Sequence, residues 1–105
     1  MHIQVNTDKN ISGHEALVQN VEGTLNQVLA RFAGQITRLE VHLSDENSTS
    51  KSGVIDKRCL LEARLAGREP TSVSDLALTI EQAVNGAAHK MVSLLESKLD
   101  KLGKH

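Results

Sequence analysis

The sequence has very few aromatic side chains. Phe32 is the one aromatic residue among 105, and Trp and Tyr are absent. The core must therefore be aliphatic, built from Leu, Val, Ile and Ala. Proteins that read single-stranded nucleic acids commonly stack bases on aromatic rings, so the composition argues against readout by stacking.

Cysteine is equally scarce. Cys59 is the one cysteine, so an internal disulfide is excluded, and no Cys/His spacing of a zinc site occurs. Residues 1–6 lack the apolar stretch of a signal peptide, and no run of 18 apolar residues is present. We therefore expect a cytoplasmic protein with no membrane partner.

An excess of positive charge is also missing. Twelve Lys and Arg face 13 Asp and Glu, which gives a formal net charge of −1 and a sequence pI of about 6.5. A basic field over the whole protein, which would draw it onto any nucleic acid, is absent. RNA binding would therefore require a local cluster of cations.

The apolar pattern predicts one domain, residues 1–105, with the order βαβββα. Alternation of polar and apolar residues predicts strands, and apolar residues at steps of three and four predict helices. The strands are predicted at residues 2–6, 36–44, 58–65 and 71–74. The helices are predicted at residues 12–34 and 75–102. Gly34 is expected to end the first helix with a positive φ.

This order predicts an α+β two-layer sandwich similar to a double-stranded-RNA-binding domain. A strand-helix-strand start makes the first two strands parallel, and the remaining strands form an antiparallel meander. Each strand has one apolar face, so both helices should cover the same side of the sheet. We expect Arg38 opposite Glu62, because the next register opposes Arg38 to Arg64 and Glu40 to Glu62.

No group of residues suggests catalysis. Cys59 lies at an inward position of the third strand with no basic motif beside it, which is typical of core packing. Asp45, Glu46 and Asp56 crowd one loop without the spacing of a calcium site, so a solvated turn is the better interpretation. The sequence predicts a protein that is not an enzyme and needs no metal, cofactor or small-molecule substrate.

The second helix carries the most informative charges. One exposed strip of this helix contains Gly86, Lys90, Ser93, Ser97, Lys101 and Lys104. Lysines near a helix C-terminus can simply complement the helix dipole, or they can neutralise a nucleic-acid backbone that small residues allow to approach. The predicted RNA contacts are Lys90, Lys98, Lys101 and Lys104, with Arg31, Arg64 and Arg68 as secondary ones. For the arginines, scattered surface charge is the alternative.

The order of elements and one stretch of the second helix resemble a known family. Residues 83–91 read Ala-Val-Asn-Gly-Ala-Ala-His-Lys-Met. They resemble the Ala-Ile-Asn and Asn-Lys-Leu that open the basic second helix of the ribosome hibernation-promoting factor and sigma-54 modulation family. Ala16-Leu17, Val21, Leu25 and the strand at residues 36–43 also fit that pattern. The likeness covers nearly the whole chain.

The resemblance implies a stress-response factor that regulates translation. Such proteins occupy the channel between head and body of the small ribosomal subunit, contact its rRNA, and block mRNA and tRNA by steric occlusion. Long members carry a further carboxy-terminal dimerisation domain. This chain ends at His105, so the short form is expected.

Several positions depart from the family pattern. Ser93 and Ser97 are neutral where the family strip is usually basic, and Thr24 and Gln27 are uncharged where it carries Lys or Arg. Losing phosphate contacts weakens binding steeply. A protein-interaction or regulatory module of the same fold, without rRNA affinity, is therefore the alternative function. Weak homodimerisation through the end of the second helix is a further alternative.

Overall fold

A computed structural model describes residues 1–8, 11, 14–45 and 55–103, with the backbone alone at 14 and 100–103. The strands are β1 (His2–Thr7), β2 (Ile36–Asp45), β3 (Lys57–Leu65) and β4 (Thr71–Ala77). The helices are α1 (His14–Val28), a short 3-10 helix (Ala30–Phe32) and α2 (Ile80–Gly103).

The four strands form one sheet in the order β1-β2-β3-β4. β1 and β2 are parallel, and the other two pairings are antiparallel. α1 contacts β1, α2 contacts β3 and β4, and the two helices contact each other, so both lie on one face of the sheet. The predicted α+β sandwich and its βαβββα order are confirmed.

The core lies between the sheet and the two helices and is almost entirely aliphatic. Phe32 is buried as its one aromatic member. The apolar spacing of the second helix predicts either Leu94 or Leu95 at one core position, and in the structure Leu95 is fully buried and Leu94 is half-buried. The largest fully buried side chains are Leu25, Leu29, Ile36, Leu39, Leu61, Met91 and Leu95. The inward positions of β3, including Cys59, are buried as predicted.

The predicted end of the first helix is wrong. α1 ends at Val28, and the chain continues through the 3-10 helix instead of a left-handed glycine. Among the described residues, Gly67 in the β3–β4 turn has a positive φ, 72°, and Gly34 does not. Leu29 N still donates to Leu25 O, and Phe32 N donates to Leu29 O, so these two carbonyl groups keep backbone partners where the helix tightens.

The boundary between the fourth strand and the second helix is also corrected. β4 continues to Ala77, because Asp75 pairs with Cys59 and Ala77 with Lys57 across the sheet. α2 begins only after Thr79, whose Oγ1 accepts a hydrogen bond from Gln82 N at 3.1 Å. A threonine at this position caps the helix N-terminus. Residues 75–77 therefore belong to the sheet.

The predicted register of the second and third strands is wrong as well. Arg38 lies opposite Arg64, and Glu40 opposite Glu62. The charges are compensated along the strand instead, since Arg38 Nε lies 3.2 Å from Glu40 Oε2 and the Arg38 guanidinium donates to Gln4 Oε1. Such a neighbour removes the like-charge penalty on which the prediction depended.

The observed register gains an ion pair at the far end of the two strands. Asp45 lies opposite Lys57, and Lys57 Nζ is 3.4 Å from Asp45 Oδ2 and 2.7 Å from Asp56 Oδ1. The hydrogen bond to the buried Asp56 raises the pKa of Lys57 above its usual value. One strand end therefore pairs opposite charges, and this pairing favours the register observed.

Candidate nucleic-acid interface

Lys90 projects from α2 across the outer edge of β4. Its Nζ lies 2.9 Å from Asp75 Oδ1 and donates a hydrogen bond of 2.9 Å to the carbonyl oxygen of Ser74. The lysine side chain remains 54% exposed. The first predicted RNA contact is therefore at the surface, but its ammonium already has an anionic partner within the chain.

Gly86 allows α2 to pass close above this ion pair. A Cβ atom added at this position would lie 2.8 Å from Asp75 Cγ, closer than real Cβ atoms approach other heavy atoms. The absent side chain thus makes room for the Asp75 carboxylate, one helical turn before Lys90. The sequence suggested that Gly86 admits a nucleic-acid backbone, whereas the structure fills the space with a carboxylate.

Arg31 of the 3-10 helix shows the same arrangement farther along α2. The Arg31 guanidinium lies 3.0 Å from Glu96 Oε2 of α2, and both side chains are exposed. Its Cζ also lies 4.8 Å from the centre of the Phe32 ring, a distance at which a cation interacts with an aromatic face. Two predicted RNA-binding cations therefore carry intramolecular acidic partners.

Two further lysines, Lys98 and Lys101, lie on α2. Lys98 is half-buried and forms no ion pair with another side chain in the described part of the protein. Lys101 lies within α2, but its side chain is outside the described residues, as is the whole of Lys104. Ser93 and Ser97 are exposed between these cations.

The two remaining arginines lie away from α2. Arg64 is exposed between the buried Ala63 and Leu65, which places it on the open face of the sheet, opposite the helices. Arg68 is exposed in the turn after β3. The structure therefore does not bring Arg64 together with Lys90, and the predicted cations occupy at least two surfaces.

A groove of about 570 Å³ follows the outer edge of β4 beside this lysine. Its lining combines two cations, one carboxylate and an exposed leucine: Arg58, Ser74, Asp75, Leu76 and Lys90. Sequence reasoning missed Asp75 as a partner of Lys90, because it assigned residue 75 to the second helix. Extending the predicted fourth strand to residues 71–77 would have placed the Asp75 side chain on the strand beside Lys90.

Cys59 lies opposite Asp75 in the sheet and is completely buried. Burial, with a smaller contribution from the negative charge of Asp75, raises the pKa of the thiol to about 12. The thiol is therefore protonated at neutral pH and has the environment of a packing residue.

The described part of the chain also lacks two other features. Its His, Cys, Asp and Glu side chains form no group of three or more that could hold a metal ion. None of its helices is both long enough and apolar enough to cross a membrane.

The chain is similar to solved structures, among them two that cover nearly its full length. No family model matches the sequence, and no curated protein does so either. The N-terminal domain of Protein Y from Thermus thermophilus superposes with a TM-score of 0.71 at 18% identity, covering 92% of this chain and 98% of that domain. A ribosomal subunit interface protein from Coxiella burnetii superposes with a TM-score of 0.68 at 20% identity, over 100% of both chains. The chain therefore has the fold of these two proteins over nearly its full length.

Proposed function

We propose that the protein is a ribosome-associated factor of the hibernation-promoting type, which binds the small ribosomal subunit in the cytoplasm and inhibits translation. The observation that carries this proposal is the superposition, over at least 92% of the chain, on a ribosomal subunit interface protein and on the Protein Y N-terminal domain. The resemblance of residues 83–91 to the second helix of that family supports the same conclusion.

In the proposed mode, α2 faces the rRNA backbone. Lys90 and Lys98 contact phosphates along the helix, and Lys101 and Lys104 extend the contact toward its C-terminus. Arg31 adds a contact from the 3-10 helix that follows α1. Phosphate contacts position a protein without reading sequence. The domain then excludes mRNA and tRNA by filling their channel, so inhibition requires no reaction and no cofactor.

A second candidate function is a protein-interaction module of the same fold that has lost rRNA affinity. The pairing of Lys90 with Asp75 and of Arg31 with Glu96 favours this alternative, because each pair lowers the positive potential that a phosphate would meet. The net charge of −1 has the same effect on the molecule as a whole.

Co-sedimentation with purified small ribosomal subunits separates the two functions. If α2 anchors the protein, the wild-type chain pellets with subunits at about 50 mM salt. The five proposed phosphate contacts imply an affinity that falls by roughly 100-fold to 500-fold by about 200 mM salt. The double variant Lys90→Glu/Lys98→Glu should bind at least about tenfold more weakly at low salt, because each reversal replaces an attraction with a repulsion.

The matched control is Lys9→Glu/Lys51→Glu, which changes the net charge equally at lysines outside the predicted site. The control should retain most of the wild-type affinity. If the wild-type chain stays in the supernatant at low salt, or if both double variants lose binding equally, the proposed interface is wrong and the interaction module becomes the better account.

A further inference from the structure

The two predicted RNA-binding cations with ion pairs in the described structure are held by acids of different elements. Asp75 on β4 holds Lys90 of α2, and Glu96 of α2 holds Arg31 of the 3-10 helix. A phosphate group approaching either cation must replace a carboxylate at ion-pair distance. The chain therefore contains anions that compete with its own nucleic-acid ligand.

The Asp75 pair is more closely fitted than an ordinary surface contact. Gly86 leaves room for the carboxylate beneath α2, and the Asp75 side chain is only 24% exposed. Lys90 Nζ also donates to the carbonyl oxygen of Ser74, on the edge strand of the described sheet. The ammonium is thus drawn toward the β4 edge and away from the strip of α2 that Ser93 and Ser97 occupy.

We infer that Asp75, and secondarily Glu96, are affinity-setting residues that mask Lys90 and Arg31 from nucleic-acid phosphates. This inference depends on the proposed function for its biological meaning, but its physical content concerns any polyanion. Removing the acid leaves the cation in place and frees it for phosphate. With both acids present, the wild-type chain therefore binds RNA more weakly, and releases it more readily, than its number of cations implies.

Asp75→Asn is the direct test, because asparagine keeps the size that fits beneath Gly86 and removes the charge. An ion pair at the surface contributes about 0.2–1 kcal/mol, which corresponds to a tightening of about 1.4-fold to fivefold. We expect this increase in affinity for small ribosomal subunits and for a plain RNA duplex, together with elution from a heparin column at higher salt. Glu96→Gln should shift the same measurements in the same direction by a smaller amount.

The matched control is Glu15→Gln. It makes the same change in net charge in the first turn of α1, at an acid that forms no ion pair with Lys90 or Arg31 in the described structure. Masking predicts that Asp75→Asn exceeds this control in all three measurements. Equal shifts for the two variants would mean that only net charge matters and would overturn the inference.

Gly86→Ala supplies a test without any change of charge. The new methyl group must displace the Asp75 carboxylate, so Lys90 should react faster with an amine-labelling reagent, as it should in Asp75→Asn, while Lys98 keeps its rate. Unchanged labelling of Lys90 in both variants would contradict masking.

The outcomes also separate this inference from the proposed function. One outcome is that the wild-type chain fails to bind ribosomal subunits while Asp75→Asn binds heparin and duplex RNA more tightly than Glu15→Gln does. In that case masking is right and the proposed ribosomal function is wrong. If the wild-type chain binds subunits and Asp75→Asn binds them no better than Glu15→Gln, the assignment holds and masking is wrong.

Discussion

At the scale of single residues, Asp75 affects two neighbours that the sequence treats separately. It lies at ion-pair distance from Lys90 and opposite Cys59 in the sheet. Its carboxylate forms an ion pair with the ammonium of one and disfavours the thiolate of the other. The same carboxylate therefore acts on a surface lysine of α2 and on a buried thiol of the sheet.

The buried thiol gives a prediction about pH. The folded state raises the pKa of Cys59 from 9.0 to about 12, so the thiol ionises first in the unfolded chain. The associated stability is complete below pH 9 and is lost as the pH rises from about 9 toward 12. In urea titrations, the free energy of unfolding of wild type relative to Cys59→Ala should fall by about 1.4 kcal/mol per pH unit above pH 9.

Other titrating groups are common to both proteins and cancel in the difference. A difference that stays constant between pH 8 and pH 10.5 would show that the thiol ionises equally well in the folded chain.

Residue identities alone could not predict the intramolecular ion pairs. Lys90 was correctly placed at the surface, because the apolar period of the helix fixes which side is buried. Its partner depended on a strand boundary that single-sequence patterns locate poorly. Glu96 and Arg31 are 65 positions apart, and only the packing of the 3-10 helix beside α2 brings them together.

At the scale of elements, the apolar period of α2 predicts the buried side of the helix but does not fix its rotation to within one residue. The sequence leaves Leu94 and Leu95 as alternatives for one core position, and they differ by about 100° around the helix. The structure buries Leu95 completely and leaves Leu94 half-exposed. Rotation of α2 also fixes where Lys90 and Lys98 point, so this choice determines the predicted interface.

Paired alanine substitutions test this rotation. Leu95→Ala should lower the free energy of unfolding by about 2–5 kcal/mol, because it leaves a cavity in the core. Leu94→Ala removes the same atoms from a half-exposed position and should cost less than half as much. Denaturant unfolding of both variants measures the difference, and equal losses would mean that α2 is rotated from the orientation described.

The sheet shows which elements a sequence specifies and which it does not. The alternation of β2 and β3 fixed the buried faces correctly, since a shift by one residue would expose the core. A shift by two residues preserves those faces, so only side-chain pairs can select between the two registers. The prediction weighed cross-strand charges and missed that Glu40 compensates Arg38 within the same strand.

At the scale of the whole molecule, the fold was predictable and the placement of the cations was not. Element order, the parallel first pair and the shared helical face follow from apolar periods and the handedness of the crossover. The spread of cations over several surfaces follows from side-chain directions that the order of elements does not contain. Arg64 on the open sheet face and Lys90 on α2 are the clearest case.

The proposed contact with rRNA can involve either of two surfaces, the helical layer or the open face of the sheet. The helical layer carries Lys90 and Lys98 together with the neutral serines between them, whereas on the open sheet Arg64 and Arg38 alternate with Glu62 and Glu40. The proposed function therefore requires that α2, and not the sheet, faces the rRNA.

Electron cryomicroscopy of small ribosomal subunits mixed with the protein at low salt tests this requirement most directly. The account predicts density for the βαβββα domain in the channel between head and body, with Lys90 and Lys98 of α2 within ion-pair distance of rRNA phosphates. It also predicts that the mRNA path is blocked. An empty channel, or a domain bound with its open sheet against the rRNA, would contradict the account.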